Sequence, residues 1–195
     1  MDFAFSDEQE EFREMLHRFS RDLGHPLLVH PTMSDMERVS AAEDVWISTR
    51  DCINRDSTSA AVVIVGRRPG VAWPPATLWV IPGEPITAAA IPLWVEAGSS
   101  PATLWQGEDA PLWAESLRIK KIVRPFPESE KEKYLNLTRL HNADGRGFLK
   151  SLLALEKETF DATDSFLGEV RTPEELRRFQ EERADRVLGL LRAID

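Results

Sequence analysis

The sequence predicts an α+β fold, and three observations carry the prediction. Between Asp56 and Gly107 only five residues are charged, Asp56, Arg67, Arg68, Glu84 and Glu96, in a chain that is 29% charged. That stretch holds short apolar runs rich in β-branched and aromatic residues and bounded by Pro and Gly, the pattern of strands and turns. On either side of it, apolar residues recur at helical spacing. The 195 residues read as one domain, with a helical lead-in over 1–44, a strand-rich core over 45–107 and a helical part over 108–195.

Ser6 followed by Gln9 is a capping box, and Phe12, Met15, Leu16, Phe19 and Leu23 follow at helical spacing, so a helix is predicted from Asp7 to Leu23. Gly24 and Pro26 end it. These opening residues taken alone resemble the first helix of acyl-CoA dehydrogenases, but nothing like the flavin-binding remainder of that family follows. A short helix is expected over Ser34–Ala41, and Val45, Trp46 and Ile47 open the strand-forming middle. Ser59–Val65, Thr77–Ile81 and Ile86–Val95 are strand candidates, separated by the turn formers Arg67-Arg68-Pro69-Gly70 and Pro82-Gly83-Glu84-Pro85. The unbroken apolar run Ala60–Val65 predicts a strand covered on both faces, because a half-exposed strand alternates apolar with polar residues. Seven of the thirteen prolines lie between Pro69 and Pro101, which keeps these segments short, and Pro92 marks an edge strand or a bulge.

After Gly107 the period becomes helical. Asp109 caps a predicted helix that reaches toward Val123 and is broken by Pro125 and Pro127. A second helix is expected over Ser129–His141, then a turn at Asn142–Gly145, then a third helix from Phe148 to Leu167. The last helix has the strongest start signal: Thr172 as cap, Pro173 at the first helical position and Glu175 completing a capping box.

Composition excludes several classes of function. The net charge of −9 repels a phosphate backbone, which argues against nucleic acid. No apolar run approaches the ~20 residues that span a bilayer, and the acidic start lacks the marks of a secretory signal, so the reading is cytoplasmic, with no membrane partner. One cysteine, Cys52, cannot form an internal disulfide, and His17, His25, His30 and His141 have no metal-ligand spacing. No metal and no cofactor are expected.

Candidate chemistry gathers where polar residues meet the first long strand, in Asp51-Cys52-Ile53-Asn54-Arg55-Asp56. Cys52 is either a small packed residue or a nucleophile lacking a nearby base in the sequence. Asn54 and Arg55 offer an amide donor and a permanently charged fork, suited to holding an oxyanion or a carboxylate. The plainer reading makes them a turn asparagine and an arginine paired with Asp51 or Asp56. Ser57, Thr58 and Ser59 sit in no nucleophile elbow. Glu84 is a turn carboxylate facing water or, on the sharper reading, a pocket carboxylate. The six tryptophans all fall within Trp46–Trp113, and either fill the core or line an apolar pocket.

Taken together, DCINRDSTSAAVVIVGRRPG, ATLWVIPGEP, AAIPLWVEAG, KYLNLTRL and LLALEKETF resemble the C-terminal half of bacterial proteins related to isopenicillin-N acyltransferase, which belong with the choloylglycine hydrolases among the N-terminal-nucleophile hydrolases. The resemblance covers Phe12 to Phe166. It implies part of an αββα sandwich of two antiparallel sheets. It also implies linear amide hydrolysis or acyl transfer by a cysteine freed at the chain's N-terminus. Arg55 matches an active-site arginine that opens a strand in the related bile-salt hydrolases, with Asn54 beside it. The family's nucleophilic cysteine opens an N-terminal half that this chain does not show, and Cys52 stands where relatives carry threonine. The expectation is therefore the C-terminal portion of an amide hydrolase or acyltransferase, inactive alone. The alternative is a non-catalytic binding or assembly protein using a Trp-rich apolar surface. The expected partners are a small amide or acyl substrate, and either a second copy in a homodimer or another chain that covers the exposed sheet edges.

Overall fold

The computed structural model describes residues 46–49, 54–107, 110–125, 134–140 and 147–195. The helices expected over Asp7–Leu23 and Ser34–Ala41, together with Cys52, the four histidines, Asp109 and the turn at Asn142–Gly145, lie outside those residues. Strands β1 (Trp46–Ser48), β2 (Ala61–Val65), β3 (Thr77–Ile81), β4 (Ile91–Leu93) and β5 (Tyr134–Asn136) form two antiparallel sheets. One pairs β1 with β5, and the other runs in the order β2-β3-β4. The helices are α1 (Pro111–Val123), the single turn α2 (Leu137–Leu140), α3 (Leu149–Leu167) and α4 (Pro173–Arg192). The architecture is α+β.

Local sequence explains most of these elements. The β3 bounds match the expected Thr77–Ile81, and β4 places Pro92 opposite Trp79 on a strand that is outermost among the described residues, where proline is tolerated. Pro111 starts α1, with its own missing N–H falling among the unbonded groups of a first helical turn. At α4 the capping box is complete: Glu175 N–H donates to Thr172 Oγ1 at 3.3 Å, and Thr172 N–H donates to Glu175 Oε2 at 2.8 Å. The Thr172 N–H, and then the Thr172 hydroxyl, donate to Glu175 Oε2 and hold its carboxyl below the ordinary range.

Tertiary contacts overturn three expectations. Tyr134–Asn136 is a strand rather than part of a helix over Ser129–His141, because it pairs with β1 in the register Ile47 opposite Leu135. Leu135, Leu137 and Leu140 are then all buried, which a local helical reading does not anticipate. The strand expected over Ile86–Val95 shrinks to three residues, since the chain before it folds inward as a buried irregular segment. Most consequentially, β2 is not covered on both faces. Val62, Val63, Ile64 and Val65 are exposed, because β2 is the outer strand and its only sheet neighbour among the described residues is β3.

The core lies between the β3–β4 side of the sheet and the helices. Ile86, Ala89 and Ile91 meet Leu112, Ile119 and Val123 of α1, Leu149 and Leu152 of α3, and Val187 and Leu191 of α4. A satellite cluster forms where α4 crosses the end of β4: Trp94, Leu167 and Leu176 are buried, and the rings of Phe166 and Phe179 stack at 4.2 Å. The polar edges of its indoles are satisfied, Trp94 Nε1 donating to Thr77 Oγ1 at 2.9 Å and Trp73 Nε1 to the Leu167 carbonyl at 2.7 Å. The tryptophans therefore divide. Of the five whose side chains are described, Trp94 is core and Trp73 and Trp79 are half-buried, whereas Trp105 and Trp113 are exposed.

Because the α4 cap is a local device at an exposed helix start, its loss should cost little and stay confined. Thr172→Ala is expected to lower the melting temperature by about 2–4 °C with helix content unchanged, read by circular dichroism.

Candidate functional site

Four chain segments converge on a buried polar cluster at the base of β2. The turn after β3 supplies the acid. Gly83 adopts φ 126°, and a Cβ there would lie 1.8 Å from Ser116 Oγ of α1, so glycine permits both the backbone turn and the close approach. Thr87 closes the turn, its N–H donating to the Glu84 carbonyl at 2.8 Å and its hydroxyl to the same oxygen at 2.9 Å. Thr87 and Ser116 hydroxyls share a further hydrogen bond of 2.6 Å, which fastens the turn to α1. With its backbone so held, Glu84 points inward and is only 1% exposed.

The cation comes from the end of α1. Arg124 follows the last helical residue, its N–H donating to the Lys120 carbonyl at 2.7 Å, at the negative end of the helix dipole. The residue is only 4% exposed, and its guanidinium makes several hydrogen bonds within the cluster. Nε donates to Glu84 Oε1 at 2.8 Å and Oε2 at 3.2 Å. Nη2 donates to Glu84 Oε1, to Thr49 Oγ1 at 2.9 Å and to the Asn54 carbonyl at 2.9 Å.

Asn54 completes the cluster and is wholly buried. Its Nδ2 donates to Glu84 Oε1 at 3.1 Å, and its Oδ1 accepts from the Ile86 N–H at 3.2 Å. Lys120 Nζ donates to the Asp56 carbonyl two residues on. Next to these fixed points, Arg55 is exposed, and a small turn orders its backbone: its N–H donates to Thr58 Oγ1 at 3.2 Å while its carbonyl accepts from Thr58 N–H at 3.0 Å.

The two sequence candidates thus part company. Asn54 is turned inward onto Glu84 and Ile86, so its amide anchors the loop, and Arg55 is the member that reaches solvent. Glu84 is not the turn acid facing water: it is buried against Asn54 and Arg124, and nothing among the described residues makes it the pocket carboxylate of the sharper reading. Arg124 was missed, since a residue before Pro125 reads as a helix end. The usable signal was that Glu84, as an isolated acid in an uncharged stretch, required a cation from elsewhere.

The electrostatics follow from burial. Desolvation pushes the Glu84 carboxyl above its ordinary value of 4.5, and the hydrogen bond and charge of Arg124 oppose that push. Among the described residues, the side chains of Thr49, Asn54, Glu84 and Arg124 are buried against one another. Chemically the cluster can hold the approach to β2 still, presenting Arg55 as a cation on an anchored backbone. Comparison with known protein families, with curated proteins and with solved structures finds no match.

With the folded value above 4.5, the stability contributed by Glu84 is fully present below 4.5 and is lost as pH rises through the folded value. Nearly every donor converges on Oε1, which the amide oxygen of glutamine can replace. In urea unfolding, Glu84→Gln should therefore gain on wild type as pH rises from 4.5 to neutrality; a gain for wild type would show that the pair holds the acid ionised. Arg124→Leu removes the donors and leaves the carboxylate, the Asn54 carbonyl and Thr49 without them, at an expected cost of about 3–5 kcal/mol.

Proposed function

We propose that this chain is the pocket-wall portion of an amide hydrolase or acyltransferase of the N-terminal-nucleophile type, built as part of an αββα sandwich. The observation that carries the reading is the anchored approach to β2, where buried Asn54, Glu84 and Arg124 fix the backbone immediately before an exposed arginine. A rigid second layer beneath one outward cation is how a binding group is held within the tolerance that recognition demands. The antiparallel sheet and the segments that resemble the C-terminal half of the isopenicillin-N acyltransferase relatives support the same reading.

On this reading Arg55 touches the ligand. A guanidinium fork suits the carboxylate of an acyl amino acid or the negative oxygen that develops when a nucleophile attacks an amide carbonyl. Asn54 acts through its neighbour, as a positioning residue. The nucleophile is not assigned to any described residue. A second reading, a non-catalytic assembly module, is favoured by one observation: the apolar side chains of β2 face solvent.

Titration with an N-acyl amino acid, followed by calorimetry and by release of free amine, tests the first reading. Arg55→Ala is expected to weaken binding about tenfold or more, as the loss of a charge-assisted hydrogen bond requires, without changing the melting temperature. Binding that survives the substitution unchanged, or no binding by the wild-type chain, would overturn the role given to Arg55 and leave the assembly reading in its place.

A further inference from the structure

An outer strand presents a row of N–H and C=O groups that template another strand, and exposed apolar patches of a few hundred Å² mark interaction surfaces. β2 combines the two. Among the described residues its only sheet neighbour is β3, and Val62, Val63, Ile64 and Val65 are 53%, 58%, 71% and 51% exposed. We propose that β2 pairs antiparallel with β2 of a second copy of this chain, joining the two sheets across a two-fold axis. This does not depend on the role given to Arg55.

Side-chain alternation selects the occupant. Val62 and Ile64 lie on one face with Val80 and Leu78 of β3, while Val63 lies on the other with Trp79. A helix would cover one face only, and a strand of alternating polarity would satisfy one face only. The incoming strand must be apolar on both, and β2 meets that requirement itself. Charge does not oppose it along the strand: Ser57 to Gly66 carries no charge, so two copies meet there without like charges opposed. A two-fold contact uses the same patch twice, as most homodimers do.

The area sets the strength. A strand of this length spans ~17 Å and its edge covers a few hundred Å² per copy, below the ~800 Å² per partner of a standard stable interface. The dimer should therefore dissociate in about the micromolar range or above. Each copy carries a net charge of −9, so added salt should tighten the association by screening the repulsion.

Sedimentation of the full chain from about 1 μM to about 500 μM, concentrations that bracket that range, tests the proposal. The expected mass rises from 22.1 kDa toward twice that value. Ile64→Lys and Val63→Lys, on opposite faces, should each raise the dissociation constant about tenfold or more, as a charge on a strand edge blocks pairing, with an unchanged far-ultraviolet spectrum. Amides 61–65 should also gain hydrogen-exchange protection with concentration. A single-copy mass throughout overturns the proposal, whether those amides exchange freely or stay protected by another part of the same chain. A dimer indifferent to both substitutions overturns it as well.

Discussion

The buried guanidinium of Arg124 is the constraint on which the arrangement around β2 depends. A charge taken out of water costs several kcal/mol unless it is paired and hydrogen-bonded. Here the compensation comes from three groups, all at least forty positions from the arginine: Thr49 after β1, Asn54 before β2 and Glu84 after β3. Shifting any one segment leaves a donor or acceptor unsatisfied in the interior. The cluster therefore selects a single relative placement of these segments. Desolvation raises the Glu84 carboxyl even beside its partner, so burial offsets part of what the pair contributes to stability.

Two kinds of packing surround this cluster, and β2 belongs to neither. The residues of β4 and the inward segment before it are sealed by α1, α3 and α4, and α4 lies across the end of β4 with Gln180 Oε1 accepting from the Trp94 N–H. On β3 the Trp79 ring meets Phe160 of α3 edge-on at 4.6 Å. Cover stops there. β2 is held on one side by the β3 ladder, while its side chains from Val62 to Val65 remain open.

The candidate site was legible in outline only. Asn54 and Arg55 stand out from the sequence because amide and guanidinium groups precede a β-branched run, yet adjacent residues gave no sign that one faces inward and the other outward. That division depends on the Ile86 N–H and the Glu84 carboxylate, some thirty positions away along the chain. Glu84 could be marked as unusual from its uncharged surroundings, whereas Arg124 looked like an ordinary residue near a helix end.

The sequence by itself determined the class of the fold, the β3 strand, the proline-bearing edge strand, and α4 from its first residue, because each of these rests on short-range chemistry: side-chain alternation, a missing N–H, a cap three residues from its acceptor. The tertiary structure alone decided that Tyr134–Asn136 is a strand, that Glu84 and Arg124 form one buried pair, and that β2 stands open. Those three outcomes depend on which distant segment supplies a ladder, a counter-charge or a covering face. Local periodicity can announce the need for such a partner but carries no information about whether the partner is there.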